Sequence, residues 1–103
     1  MARPPLLACN LEALSETERA RRAWLLECVR RHARAVEPTE TGFRIELTID
    51  ERDCEALVEL AGLERRCCPF LTLDLVLEDD RVLLQLSGPP GVKEFLQQSG
   101  LIG

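Results

Sequence analysis

The sequence predicts an α+β fold: a three- or four-stranded mixed or antiparallel sheet with helices packed on one face. Residues 42–49 and 71–87 alternate apolar and polar side chains with a period of two, as half-buried strands do. Two longer stretches carry apolar residues three and four apart, the period of a helix lying on a core. The prolines fall outside these stretches, so they read as boundaries. The 103 residues suit one domain, 1–103, with a modest core of its own.

Residues 1–14 begin Pro-rich and turn apolar at Leu6, Leu7, Ala8, Cys9 and Leu11, which suits a short edge strand or an arm. Ser15 followed by Glu18 is a capping box, so a helix starts there. It is expected to continue to about Val36 and to stop before Pro38. Its apolar stripe would be Trp24, Leu25, Cys28, Val29, His32 and Val36. Phe43, Ile45, Leu47 and Ile49 then face one way along a strand, with Arg44, Glu46 and Thr48 on the other side. Asp50 can cap a second helix from about Glu51 to Cys67, because Pro69 disfavours helical geometry at Cys68.

Leu71, Leu73, Leu75 and Leu77 alternate with Thr72, Asp74, Val76 and Glu78, and beyond Asp79-Asp80 Val82, Leu84 and Leu86 alternate with Leu83, Gln85 and Ser87. Two such runs around a short acidic turn form a hairpin. Residues 87–91 stop the strand, and a short helix follows from Val92 to about Gln98, anchored by Phe95 and Leu96. A helix joins the strand at 43–49 to the strand at 70–77, a connection that permits a parallel pair. Helices on one face would leave Val76 and Leu83 on the other as an apolar patch.

The net charge is −5, and basic residues are interspersed with acidic ones. Nucleic-acid binding calls for a basic stripe, and RNA binding adds stacking aromatics; neither is present. The Arg-rich stretch from Arg19 to Arg34 is broken at helical spacing and reads as a solvated face. No apolar run approaches the ~20 residues that cross a bilayer, and the first residues lack a secretory h-region. The expectation is a cytoplasmic protein, with no membrane or nucleic-acid partner. Its five cysteines are then expected as reduced thiols and not as a disulfide framework.

Cys28 and His32 form an i, i+4 pair, but two ligands are too few for a closed metal site, and a core position accounts for both. Cys54 lies roughly 20 Å from Cys68 along one helix, too far to share an ion with it, and reads as packing. Cys67 and Cys68 are different: adjacent thiols at a helix end, set against a proline, can both reach one soft ion. Glu64 is one turn back and can lend an oxygen or accept a proton, while Arg65 and Arg66 add positive charge that favours thiolate. A third sulfur must come from elsewhere, and Cys9 is the candidate because it lies outside any helix. Free N–H groups at Gly91-Val92-Lys93 can bind an anion or support a thiolate if the fold brings them to the pair.

Cys9-Asn10-Leu11, Glu64-Arg65-Arg66-Cys67-Cys68-Pro69-Phe70-Leu71 and Gly88-Pro89-Pro90-Gly91-Val92-Lys93-Glu94-Phe95-Leu96 resemble, in that order, a family of small, uncharacterised bacterial proteins. A similar cysteine-pair segment occurs as a tail on some MerR-type heavy-metal-responsive regulators. The resemblance implies that Cys9, Cys67 and Cys68 belong to a shared pattern, that Cys28 and Cys54 do not, and that the ligand is a soft metal or metalloid. The chain has no helix-turn-helix segment of its own.

The expectation is therefore a binding protein for an ion of the Hg, Cu(I), Zn or As class, held by Cys9, Cys67 and Cys68 with Glu64 in support. Sequestration, sensing or handover would be its task. A thiol-redox enzyme using the Cys67/Cys68 pair is a second reading, weakened by the strained ring that adjacent cysteines form. A module for homodimerisation or protein interaction, with structural cysteines, is a third.

Overall fold

The structure is a computed structural model and describes residues 9–49 and 53–99. The capping box forms as expected: Glu18 N–H donates to Ser15 Oγ at 3.1 Å, and Ser15 N–H donates to Glu18 Oε1 at 2.9 Å. It opens α1, Glu16–His32. That helix ends earlier than its apolar pattern suggests. Ala33–Pro38 forms an edge strand, β1, pairing with β2, Gly42–Leu47, through partners that include Val36↔Ile45 and Pro38↔Phe43. Hydrogen bonds to a neighbouring strand outweigh a few tenths of a kcal/mol per residue of helix propensity. Pro38 fits the edge, where a missing N–H costs nothing.

This shift corrects the expected stripe of α1. Leu25 and Val29 are buried, but His32 and Val36 are exposed, and Trp24 is 54% exposed with the Arg21 guanidinium 4.6 Å from its ring centre.

The second helix, α2, is Cys54–Cys67; Asp50 and Glu51, its expected start, lie outside the described residues, as do Leu6, Leu7 and Ala8. The hairpin forms as expected from β3, Thr72–Glu78, and β4, Arg81–Ser87, and the last helix, α3, is Val92–Gln98.

The sheet is four-stranded and antiparallel, in the order β1-β2-β4-β3. β2 and β3 point the same way, but β4 lies between them, so the parallel pairing that the helical connection permits does not form. At Gly42 the strands approach so closely that a Cβ would stand 1.7 Å from the Leu86 carbonyl oxygen.

The three α-helices among the described residues cover one face. Phe43, Ile45 and Leu47 of β2 and Val82, Leu84 and Leu86 of β4 pack with Leu25 and Val29 of α1, Leu57, Leu60 and Leu63 of α2, and Val92 and Leu96 of α3. Each such side chain contributes about 1.5–3 kcal/mol on burial. The opposite face is not the bare patch expected: Leu83 is 3% exposed and Val76 half-buried. Glu46 and Val76 are its cross-strand neighbours, and Arg44 and Arg81 border the same shallow hollow, so their aliphatic stems shield it. Among the described residues, no helix is long and apolar enough to cross a membrane.

Candidate metal centre

A helix leaves its last carbonyls without intrahelical partners. At the end of α2, Pro69 turns the chain at Cys68 (φ −128°, ψ 69°), whose N–H still reaches the Glu64 carbonyl at 2.6 Å. The Cys67 carbonyl points outward and accepts the backbone N–H of Asn10 at 2.7 Å. That bond docks the N-terminal segment on the helix end. A 3₁₀ turn at Leu11–Ala13 follows, and the buried Leu14 pins it to the core. Arg66 secures the same junction from outside, donating to the Ala13 carbonyl at 3.3 Å and to the Glu18 carboxylate.

The consequence is that Cys9 lies beside the pair, 59 residues from Cys68 in sequence and joined to it by a disulfide. Cys67 keeps a free thiol, with its Sγ 3.6 Å from that of Cys68. The expectation of reduced thiols throughout is thereby corrected for Cys9 and Cys68. Their Cα atoms are 4.7 Å apart, within the range a disulfide spans, because the Asn10 bond sets one chain directly against the other.

One ligand atom each from Cys9, Glu64, Cys67 and Cys68 all lie within 4.8 Å of one another, a group that can hold a metal ion. Cys67 and Cys68 are 0% exposed and Glu64 is 3% exposed, while Cys9 is half-buried. The four residues singled out in the sequence therefore converge.

A buried carboxylate needs a partner, and Glu64 has one in Arg22 of α1, whose Nε donates to Oε1 at 2.5 Å. Arg22 Nη2 also points at Cys9 Sγ, 3.8 Å away. Burial pushes the Cys67 thiol pKa up, and the Glu64 carboxylate adds to the rise, against the opposing pull of Arg22. Arg65 and Arg66, expected to supply the positive charge, are exposed. Sequence reasoning missed Arg22, although a signal was present: Arg22, Leu25 and Val29 share one helical face, and an arginine on a buried face implies a buried acid.

A surface cleft of about 250 Å³ leads to this group. Cys9, Arg22 and Glu64 form its polar wall, and Leu11, Leu26 and Phe95 are among its apolar residues. The other candidates lie elsewhere. Cys28 and His32 line a separate cavity of about 320 Å³ with Trp24 and Leu57, and the Nδ1–H of His32 donates to the Cys28 carbonyl at 2.8 Å. Cys54 begins α2, at the opposite end from Cys67, and packs against the core. Gly91 and Lys93 border a different cleft with Glu40 and Pro89, so the start of α3 does not face the cysteines.

Comparison with protein-family models, with curated proteins and with solved structures finds no match for this chain.

Proposed function

We propose that this protein binds a soft metal or metalloid ion through the thiolates of Cys9, Cys67 and Cys68, for sequestration, sensing or handover, and that the Cys9–Cys68 disulfide is the oxidised, closed form of that site. One observation carries this reading: three sulfurs and a carboxylate from two distant segments gather within 4.8 Å at a buried helix end. Thiolates select soft ions, and a core position alone does not call for three sulfurs and an ion pair together. The likeness of the cysteine-pair segment to the tails of heavy-metal-responsive regulators points the same way.

The test is a titration of the reduced protein with Hg(II), arsenite, Cu(I) and Zn(II), read by native mass spectrometry. One ion per chain is expected, and it should be lost in the variant carrying Cys67→Ser with Cys68→Ser. No stoichiometric binding, or binding that survives the double substitution, would sink the reading.

A thiol-redox role is favoured by one specific distance, the 3.6 Å from the Cys67 sulfur to Cys68 in its disulfide. Attack there would release Cys9 beside Arg22. Against it, the attacking thiol is the one whose pKa is raised, and only thiolate attacks.

A further inference from the structure

Charge balance narrows the ligand of this site. We infer, resting on the thiolate-site reading above, that the reduced site takes a trivalent metalloid hydroxide of the arsenite class. Cys9, Cys67 and Cys68 are its three ligands, and Glu64 stays outside the coordination shell as the counter-ion of Arg22.

Three thiolates carry three negative charges, and two of the sulfurs are fully buried. The guanidinium that touches the site is already neutralised, since Arg22 holds Glu64 through a 2.5 Å bond. Arg66 is engaged with Glu18 on the exposed side, and Arg65 faces solvent. A trivalent centre therefore leaves the buried site neutral. A divalent ion on the same three sulfurs leaves one negative charge, and a monovalent ion leaves two. Uncompensated buried charge is costly, so the neutral complex is preferred.

The donor set agrees. Zinc takes four ligands, so it would have to draw Glu64 off Arg22 or carry a water into the site. A trivalent metalloid is satisfied by three sulfurs in a pyramid, with its lone pair on the open side. Access agrees as well: the cleft at Cys9 has Leu11, Leu26 and Phe95 in its wall, which suits a small neutral hydroxide better than a hydrated cation.

The exchange balances without an oxidant. Three As–O bonds break and three As–S bonds form; each thiol proton leaves on a hydroxide as water, and arsenic stays trivalent. The Cys9–Cys68 disulfide must first be opened by two electrons, from a dithiol in a cell or a phosphine in the test tube.

The experiment uses the whole chain, reduced with a phosphine under inert gas, and measures arsenite and Zn(II) binding by calorimetry from pH 6 to 8. Alkylation mapping then reports which sulfurs are protected. Arsenite should bind one to one and protect Cys9, Cys67 and Cys68. Its affinity should change by less than about threefold over that range, because no proton is released, whereas each proton released by a metal ion costs about tenfold per pH unit. Glu64→Gln should still bind arsenite one to one with all three sulfurs protected, and by freeing the Arg22 charge it should shift the preference towards Zn(II), whose trithiolate complex is then neutral.

Arsenite that protects two sulfurs or fewer, or that loses affinity as the pH falls, overturns the inference. So does Zn(II) binding more tightly than arsenite. In each of those cases the thiolate-site reading survives. If neither ligand binds stoichiometrically, both fall. Should Glu64→Gln not fold, the pH series on the unaltered protein decides alone.

Discussion

The backbone N–H of Asn10 donates to the carbonyl oxygen of Cys67 at 2.7 Å, and this bond sets the segment that carries Cys9 against the helix end that carries Cys67 and Cys68. It satisfies a carbonyl that α2 leaves open and at the same time sets the spacing of the sulfurs. The side chain of Asn10 plays no part in it.

Asn10→Pro removes that donor, whereas Asn10→Ala keeps it. The proline variant should lose about 1 kcal/mol of stability. It should also form less Cys9–Cys68 disulfide in a fixed redox buffer, as counted by thiol alkylation, while the alanine variant matches the unaltered protein. Equal disulfide yields in the two variants would show that the bond does not position Cys9.

Arg22→Ala strands the Glu64 carboxylate, whose side chain is only 4% exposed. Breaking a buried pair from one side costs about 3–5 kcal/mol, and replacing both partners with apolar side chains recovers most of it. Urea unfolding of the oxidised protein should therefore rank Arg22→Ala well below Arg22→Met with Glu64→Leu. The reverse order would mean that the pair is held by solvent and not by burial.

Glu18 contributes to the acid limb. The Arg66 guanidinium, and after it the Ser15 N–H, lower its pKa from the usual 4.5 to about 2. The folded state thus holds this proton less tightly than the unfolded chain does. The stabilisation is complete above about pH 4.5 and fades as the pH falls towards 2. Glu18→Gln should flatten the fall in stability across that window. Because the pair is partly exposed, salt should weaken the effect too. An unchanged acid limb in the variant would place the proton uptake on other carboxylates.

Cys67 should be the slow thiol. In the oxidised protein its burial and the neighbouring Glu64 carboxylate raise its pKa, while Cys28 is half-buried at a cavity wall. Iodoacetamide at pH 8 should label Cys67 at least roughly tenfold more slowly than Cys28, because only thiolate reacts. Comparable rates, read by peptide mass spectrometry, would refute the sheltered position assigned to Cys67.

Much of this arrangement was legible in the residues themselves. Ser15 with Glu18, Pro69 after the cysteines, and the alternation on either side of Asp79-Asp80 are local signals, and each produces its element. The end of α1 was not legible, because residues 33–38 become a strand only through pairing with residues 43–47, and no local period announces that. The place of β4 between β2 and β3 is likewise a matter of long-range pairing. Cys9 could be nominated by eliminating the helical cysteines, but its docking rests on a backbone bond across 57 residues, which no side-chain pattern encodes. Arg22 was hidden by a plainer cause: a basic stretch reads as solvated until one of its members falls on the same face as Leu25 and Val29.

The division of the sulfurs between two chain segments also sets an order of departure. Cys67 and Cys68 are built into the packed end of a helix, whereas Cys9 sits half-buried at the cleft, on a segment held to that end by the Asn10 backbone bond and the Arg66 bond to the Ala13 carbonyl. An ion shared among them, as proposed, would be unloaded from the Cys9 side: an incoming thiol reaches that sulfur first, takes its place, and only then competes for the two behind it. Release would then be a stepwise exchange whose pace depends on how readily the segment at Cys9 and Asn10 lifts from the helix end, and a protein that stiffened or loosened that segment would control the residence time without touching the ligand.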